Sequence, residues 1–339
     1  MGYIVQQYAA GDAGLAFTGD RNSIWHRLGN AVDPTASPAD IAKAARLDFT
    51  VAKAPASALI DGQHVETDRH FLYRRDTGKV LSPVVVSDMY SLANIQPIDF
   101  LEYCQRFASV DPSLKFSAAG MLDGGARIWV TASYGDVTVA GERHRVYLLL
   151  TTTYDASACS EASISIVRAI CDNTLTAAMQ DGATRIKVRH NSTFLPGEVA
   201  GRLAKLAQAT TRFKAIGDAL AGYELSKEQV SAFLRGALDI EASAAIEDVS
   251  TRKQNQLHAL HAAYKQSVTE GAPKQSAWAC LQALTRYVDH DRSTRNAQGD
   301  EAEKRFQSAQ WGTGDAMKQS GMEVLTGLLK AANKMPVLA

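Results

Sequence analysis

Arg145-Val146-Tyr147-Leu148-Leu149-Leu150-Thr151-Thr152-Thr153-Tyr154 is a near-continuous run of apolar and β-branched residues. Such a run suits a strand buried on both faces, at the centre of a sheet. Working outward, Lys115 to Met121 reads as a strand that leads into Asp123-Gly124-Gly125, a strong turn signal. Arg127 to Tyr134 answers it as the returning strand, and Gly135-Asp136 and Gly141-Glu142 bound a further strand or turn. These strands follow one another directly instead of alternating with helices. A doubly wound parallel sheet is therefore excluded, and the expected class is α+β with a mostly antiparallel meander.

The flanks agree with this reading. Residues 1–35 are turn-rich, with Gly, Asp and Asn around Trp25-His26-Arg27-Leu28-Gly29. Ser37 caps a helix beginning Pro38-Ala39-Asp40 and running to about Arg46. From Phe49 to Ala93 the pattern is of strands, with Asp76-Thr77-Gly78-Lys79 as a hairpin turn, and Ile98 to Phe107 forms a short amphipathic helix. From Glu198 the chain turns helical. Val199 to Gly222 is alanine- and leucine-rich, and Ser226-Lys227-Glu228-Gln229 has the form of a capping box opening a helix to about Ile240. Leu257, Leu260 and Tyr264 share one face of a helix over 245–269, which Gly271-Ala272-Pro273 ends. Further helices are expected over about 276–290, 299–310 and 314–334. The expected division is a β-rich α+β domain over 1–197 and a helical domain or helical layer over 198–339.

Composition bounds the function. At 339 residues the chain exceeds one ordinary domain, so two lobes are expected. Lys and Arg number 36 and Asp and Glu number 36, so no global field attracts nucleic acid and any binding patch must be local. Cys104, Cys159, Cys171 and Cys280 match no zinc spacing and read as small buried residues in a reducing compartment. Met1 to Phe17 lacks a secretory pattern, and no run approaches the ~20 apolar residues of a membrane helix. A soluble cytoplasmic protein without a membrane partner is expected.

The densest chemistry lies in Arg168-Ala-Ile-Cys171-Asp-Asn173-Thr174-Leu175. It suits a buried polar junction, or a site that holds a phosphate or base edge. Gly124-Gly125 is followed by a strand and by no lysine–serine pair, so it is a turn and not a phosphate loop. Ser157, Ser160, Ser163 and Ser165 stand in no nucleophile-elbow pattern. Cys171 with a distant His190 is weak support for a nucleophile, and a packed thiol is the simpler reading. His258 and His261 can share a helix face but lack an evident third ligand, and Asp289-His290-Asp291 fits a helix end whose dipole favours the imidazolium. No catalytic residue, metal or cofactor is assigned. Between Arg185 and Lys214 seven cations face one acid, Glu198. On a strand, Arg185, Lys187 and Arg189 would share one face, with Ile186 and Val188 inward. Such a row either tracks a phosphate backbone, releasing counterions, or is a solvated strand edge guarded by charge. Arg202, Lys205, Arg212 and Lys214 extend it, and Arg292, Arg295 and Arg305 could join it. Trp129, Tyr134, Tyr147 and Phe194 are stacking candidates, although core packing explains each of them.

Three blocks carry a family resemblance. The first is Trp25-His26-Arg27-Leu28-Gly29. The second is Val167 to Leu175, followed by Arg189-His190. The third is Ala277-Trp278 through Ala283, Thr285, Tyr287, Asp289, His290 and Arg292, then Arg305-Phe306, Ser308, Trp311-Gly312, Gly314 and Lys318. In these the chain resembles the uncharacterised phage/plasmid-like protein family (domain of unknown function 932). The resemblance implies a mobile-element setting and supplies no catalytic residues. Gln282 stands where that family often has Asn, which argues against exacting chemistry there. The shared signature raises the expectation that the third block packs on the second, with Trp278, Tyr287 and His290 near Arg168 and Asn173. The leading expectation is a single-stranded nucleic-acid-binding protein, an annealing or recombination accessory factor for which a homo-oligomer is compatible. Arg168, Arg185, Lys187 and Arg189 would hold phosphates, Asn173 and Thr174 would bond backbone or base edges, and His190, Arg292 and Arg295 would complete the surface. Two alternatives stay open: an enzyme acting on nucleotides or nucleic acid through Asp289, His290, Cys171 and His190, and a host-interaction or anti-defence protein without catalysis.

Overall fold

The computed structural model describes residues 7–9, 12–19, 29–82, 84–93, 95–168, 185–188, 199–293 and 301–336. Within the first 35 residues, turn-rich in sequence, the described ones supply β1 (Gln7–Ala9), β2 (Asp12–Ala13), β3 (Leu15–Phe17) and β4 (Asn30–Ala31). Helix α1 (Pro38–Ala44) starts where Ser37 predicts: its hydroxyl accepts from the Asp40 N–H, and Pro38 occupies the first turn. Two long strands follow, β5 (Val51–Ile60) and β6 (Gln63–Arg74), then β7 (Val86–Ser87) and α2 (Pro97–Val110). The meander is β8 (Lys115–Leu122), β9 (Arg127–Val139), β10 (Glu142–Thr153), β11 (Ser160–Arg168) and β12 (Arg185–Val188). The helical half comprises α3 (Val199–Ala221), α4 (Lys227–Gly236), α5 (Thr251–Thr269), α6 (Ala277–Arg286), α7 (Glu301–Trp311) and α8 (Thr313–Ala331).

The fold is α+β, with antiparallel sheets in the first half and helices in the second. Seven strands form the main sheet in the order β12-β11-β10-β9-β8-β3-β4, and β5-β6-β7 form a separate sheet. In the main sheet only β3 and β4 run parallel. The sequence reading places no strand at Leu15–Phe17. These three residues are fully buried because they extend the sheet beside β8, a tertiary pairing that so short a segment cannot announce.

Strand β10 is central as its composition requires, and Val146 to Thr153 are all buried. Its even-numbered residues Val146, Leu148 and Leu150 join a large apolar cluster with Ile128 and Val130 of β9 and Ile164 and Ile166 of β11. Phe100 and Phe107 of α2 and Phe213, Ile216 and Leu220 of α3 cover that face. One apolar cluster thus runs from the sheet into the helical half. Tyr147 and Leu149, pointing the other way, belong to a second cluster with Leu15, Phe17, Trp129 and Val167, against which Trp311 of α7 packs.

The β5–β6 hairpin is tied to the meander through Arg74, which is 8% exposed. Its guanidinium pairs with Asp76 at 2.6 Å, lies 3.8 Å from the Phe49 ring centre and donates to the Gly124 carbonyl. At Gly125 (φ 106°) a Cβ would stand 2.8 Å from Phe49, so this turn requires glycine.

The capping signals of α4 and α6 hold, whereas the helix expected from 245 begins only at Thr251. Ser226 and Gln229 form the reciprocal capping box of α4. The expected helix to Ile240 stops at Gly236, and a 3₁₀ turn at Ile246–Asp248 precedes α5. Helix α6 does not run on as an α-helix to His290: residues Tyr287–Asp291 form a π-helical turn.

Candidate functional site

Register places the basic row. Strand β12 is the outermost strand of the main sheet, antiparallel to β11, with Arg185 opposite Ser163 and Lys187 opposite Glu161. Side chains alternate across a strand. Ile186 pairs in register with Ala162, a residue of the large cluster, and Val188 pairs with Ser160. The positions of Arg185 and Lys187 pair instead with Ser163 and Glu161, which belong to the second face. Across that face the register runs Lys187, Glu161, Thr151, Trp129 in one line and Arg185, Ser163, Leu149, Thr131 in the next.

This second face is rich in polar groups for a buried surface: Thr131, Thr151, Glu161, Ser163 and Ser165 are each at most 8% exposed. The Thr131 and Thr151 hydroxyls donate to the Ala118 and Ile128 carbonyls of the neighbouring strands. Arg127 of β9 lies 4.3 Å from the Trp311 ring centre and donates to the Ser157 hydroxyl at 3.3 Å. Burial lowers its pKa, and the carboxylates of Asp155, Asp123 and Glu161 oppose that shift. Trp311 belongs to the third sequence block, so that block reaches the face on which Arg185 and Lys187 stand.

Arg168 ends β11, opposite His144 of β10. His144 is fully buried, its ring 5.6 Å from Trp278 of α6 and 6.0 Å from Phe213 of α3. Trp278 thus packs beside the strand position that neighbours Arg168. Asn173, Thr174, Arg189, His190 and Arg295 lie outside the described residues, as do Cys171, Phe194 and Trp25 to Leu28 of the first block. Trp129 and Tyr147 are buried in the second cluster and serve packing there.

Arg292 stands elsewhere. It follows the π-helical turn, which packs on α5, α6, α7 and α8, and lines a cleft of about 850 Å³ within the helical half. Its guanidinium donates to Ser308 at 3.3 Å, Arg305 donates to its carbonyl, and Ser308 also accepts the Gly314 N–H at the start of α8. Arg252 and Lys253, from the first turn of α5, line the same cleft. Sequence reading missed these two. They begin a helix whose identifiable signal was its apolar face, and only tertiary packing turns their end of it toward Arg292. Tyr287 is buried at the cleft wall; burial raises its pKa, while Arg292, Arg252 and a bond from Gln256 oppose the rise.

The same region contains a buried ion pair. Lys318 of α8 donates to Asp289 in the π-helical turn at 2.9 Å, with side chains 1% and 8% exposed. Asp289 is thereby engaged in joining two elements, which leaves it poorly placed as a general base.

Among the described residues no group of three or more His, Cys, Asp and Glu side chains is arranged to hold a metal ion. His258 is exposed on α5, and the pKa of its neighbour His261 is lowered by burial and then by Lys265, His258 and Arg235. Burial pushes the Cys104 and Cys280 thiols up to about 12, so both are packing residues and not nucleophiles at neutral pH. No helix among the described residues is long and apolar enough to cross a membrane. A family model described as Domain of unknown function (DUF932) matches residues 84–310. No curated protein and no solved structure matches the chain.

Proposed function

Given that the chain belongs to the family defined by the domain of unknown function DUF932, a description that names no chemistry, we propose that it is a nucleic-acid-binding protein of a mobile element that engages single strands. The observation that carries the reading is the position of β12. It is the outer strand of the seven-stranded sheet, and its alternate positions Arg185 and Lys187 share one face. A row of cations at a two-residue spacing repeats about every 6.6 Å along a strand, close to the phosphate spacing of an extended single strand. Neutralising several phosphates releases counterions, which supplies affinity without sequence readout. Arg189 would add a phosphate contact, and Asn173, Thr174 and His190 would bond backbone or base edges; Arg168, whose register partner is His144 and which alternates with the positions facing Arg185 and Lys187, is not assigned to this row. The mobile-element setting comes from the phage/plasmid-like resemblance, and annealing or recombination support is the role in which such binding needs no cofactor.

The test is binding to fluorescent single- and double-stranded DNA across a salt series. Affinity for single strands should fall steeply with salt. Replacing Arg185, Lys187 and Arg189 together by Ala should weaken binding of all sequences and reduce the slope of log K against log salt by up to about 2, at roughly 0.7 for each phosphate no longer neutralised. Unchanged binding by that variant would remove the mechanism, and no binding at low salt would remove the function.

A further inference from the structure

The helical half contains a cleft that the basic strand does not explain. Its floor is apolar: Phe233 and Leu238 are buried, with Met317 and Leu328 half-buried beside them. Three cations line it, Arg252, Lys253 and Arg292, against one carboxylate, Asp239. None of the three makes an ion pair with a described residue. The Lys253 ammonium is anchored on the Asp239 carbonyl at 2.7 Å, and Arg292 on the Ser308 hydroxyl. Both anchors use neutral acceptors, so the positive charge is positioned but not cancelled. Gln229 and Gln256 bring amides that both donate and accept, and Ser250 and Thr313 bring hydroxyls. The Arg252 and Lys253 backbone lies in the first turn of α5, the positive end of that helix, and no acidic residue offsets it there.

We infer that this cleft is a binding site for a nucleoside phosphate, with the phosphate held by Arg252, Lys253 and Arg292 and the base laid on the apolar floor. The charge count selects the class. With Asp239 set against the three cations the lining carries a net charge of two; a single carboxylate ligand would leave one cation uncompensated, whereas a mono- or diphosphate brings a charge of about two or more and oxygens that match the arginine fork. The apolar floor has no use for a bare inorganic anion but suits a base, and the glutamine amides suit its polar edge. The volume, about 850 Å³, lies within the range of roughly 300–1,000 Å³ usual for small-ligand sites. The site is separate from β12 and stands or falls independently of strand binding there.

Calorimetric titration of the full-length protein with AMP, ADP, adenosine and inorganic phosphate tests it. AMP or ADP should bind saturably, at least tenfold tighter than adenosine and tighter than inorganic phosphate. The Arg252→Gln/Arg292→Gln variant should lose tenfold or more in nucleotide affinity. Val324 lines the same cleft and is 51% exposed, so Val324→Glu puts a carboxylate at the site without touching the core and should weaken binding likewise. Each variant is checked for an unchanged urea midpoint. Absence of saturable binding by every nucleotide overturns the inference, as does wild-type affinity in both variants. Inorganic phosphate binding as well as AMP would overturn the assignment of the floor to a base. The Arg185, Lys187 and Arg189 triple variant should bind nucleotide normally, which separates failure of this site from failure of the strand surface.

Discussion

Lys318→Met removes the cation from the most deeply buried ion pair found among the described residues. The ammonium and the Asp289 carboxylate are 2.9 Å apart, and their side chains are 1% and 8% exposed. At an effective dielectric of about 20 the gross attraction at this distance is about 6 kcal/mol. Desolvation of both ions offsets much of that in the intact protein. The variant does not recover the carboxylate's share, because Asp289 stays buried in the π-helical turn with the Lys318 charge removed. The expected loss is therefore about 3–5 kcal/mol, the usual cost of breaking a buried pair from one side. Met approximates the Lys stem in volume, so the cavity contribution is small. The assay is urea unfolding followed by tryptophan fluorescence, for Lys318→Met, Asp289→Leu and the double variant. The double variant removes both charges and should be less destabilised than the sum of the singles by at least about 2 kcal/mol. A loss under about 1 kcal/mol in Lys318→Met, or strict additivity in the cycle, would refute the claim that this pair ties α8 to the turn carrying Tyr287 and Arg292.

Other outcomes follow from close packing and titration. Gly217→Ala in α3 would set a Cβ 2.3 Å from the Val139 side chain and 3.1 Å from Trp278; it should cost about 1–3 kcal/mol by overpacking. Gly327→Ala in α8 meets nothing within 4 Å and should instead gain about 0.4–1 kcal/mol in the same urea assay. Ser226→Ala removes the capping-box hydroxyl that accepts from the Gln229 N–H and should cost about 1 kcal/mol; a change within about 0.2 kcal/mol would show that the cap does not stabilise α4. Stability should also fall in alkali. Burial raises the folded values of Cys104 and Cys280 to about 12, above the usual thiol value of 9.0. The protecting contribution is full below pH 9 and is lost as pH rises toward 12, by up to about 1.4 kcal/mol per unit for each thiol. Urea midpoints measured from about pH 8 to 10.5 should decline, and Cys104→Ala/Cys280→Ala should flatten the decline; an unchanged slope in that variant would contradict the assignment.

What was legible in the sequence was what short-range patterns encode. The Arg145–Tyr154 run could only be a central strand, because eight consecutive buried residues leave no face for solvent. Asp123-Gly124-Gly125 had to turn, since all three adopt positive φ. Ser37 and Ser226 marked helix starts because a hydroxyl there satisfies an otherwise orphaned N–H. Other features rest on pairings between distant segments, which no local pattern carries. Leu15–Phe17 become a strand only because β8 offers an edge. The α-helical pattern through His290 gives way to a π turn in which Asp289 meets Lys318, 29 residues on. Arg252 and Lys253 carry no signal of their own inside the helix expected over 245–269, and Arg292 reads as a possible extension of the basic row; only the packing of α5 and α8 on the π turn, with α4 lining the same cleft, gathers their charges in one place. Residue chemistry therefore determined which elements form and which faces they bury, while the tertiary structure alone decided which distant cations share a site, because charges converge in space and not along the chain.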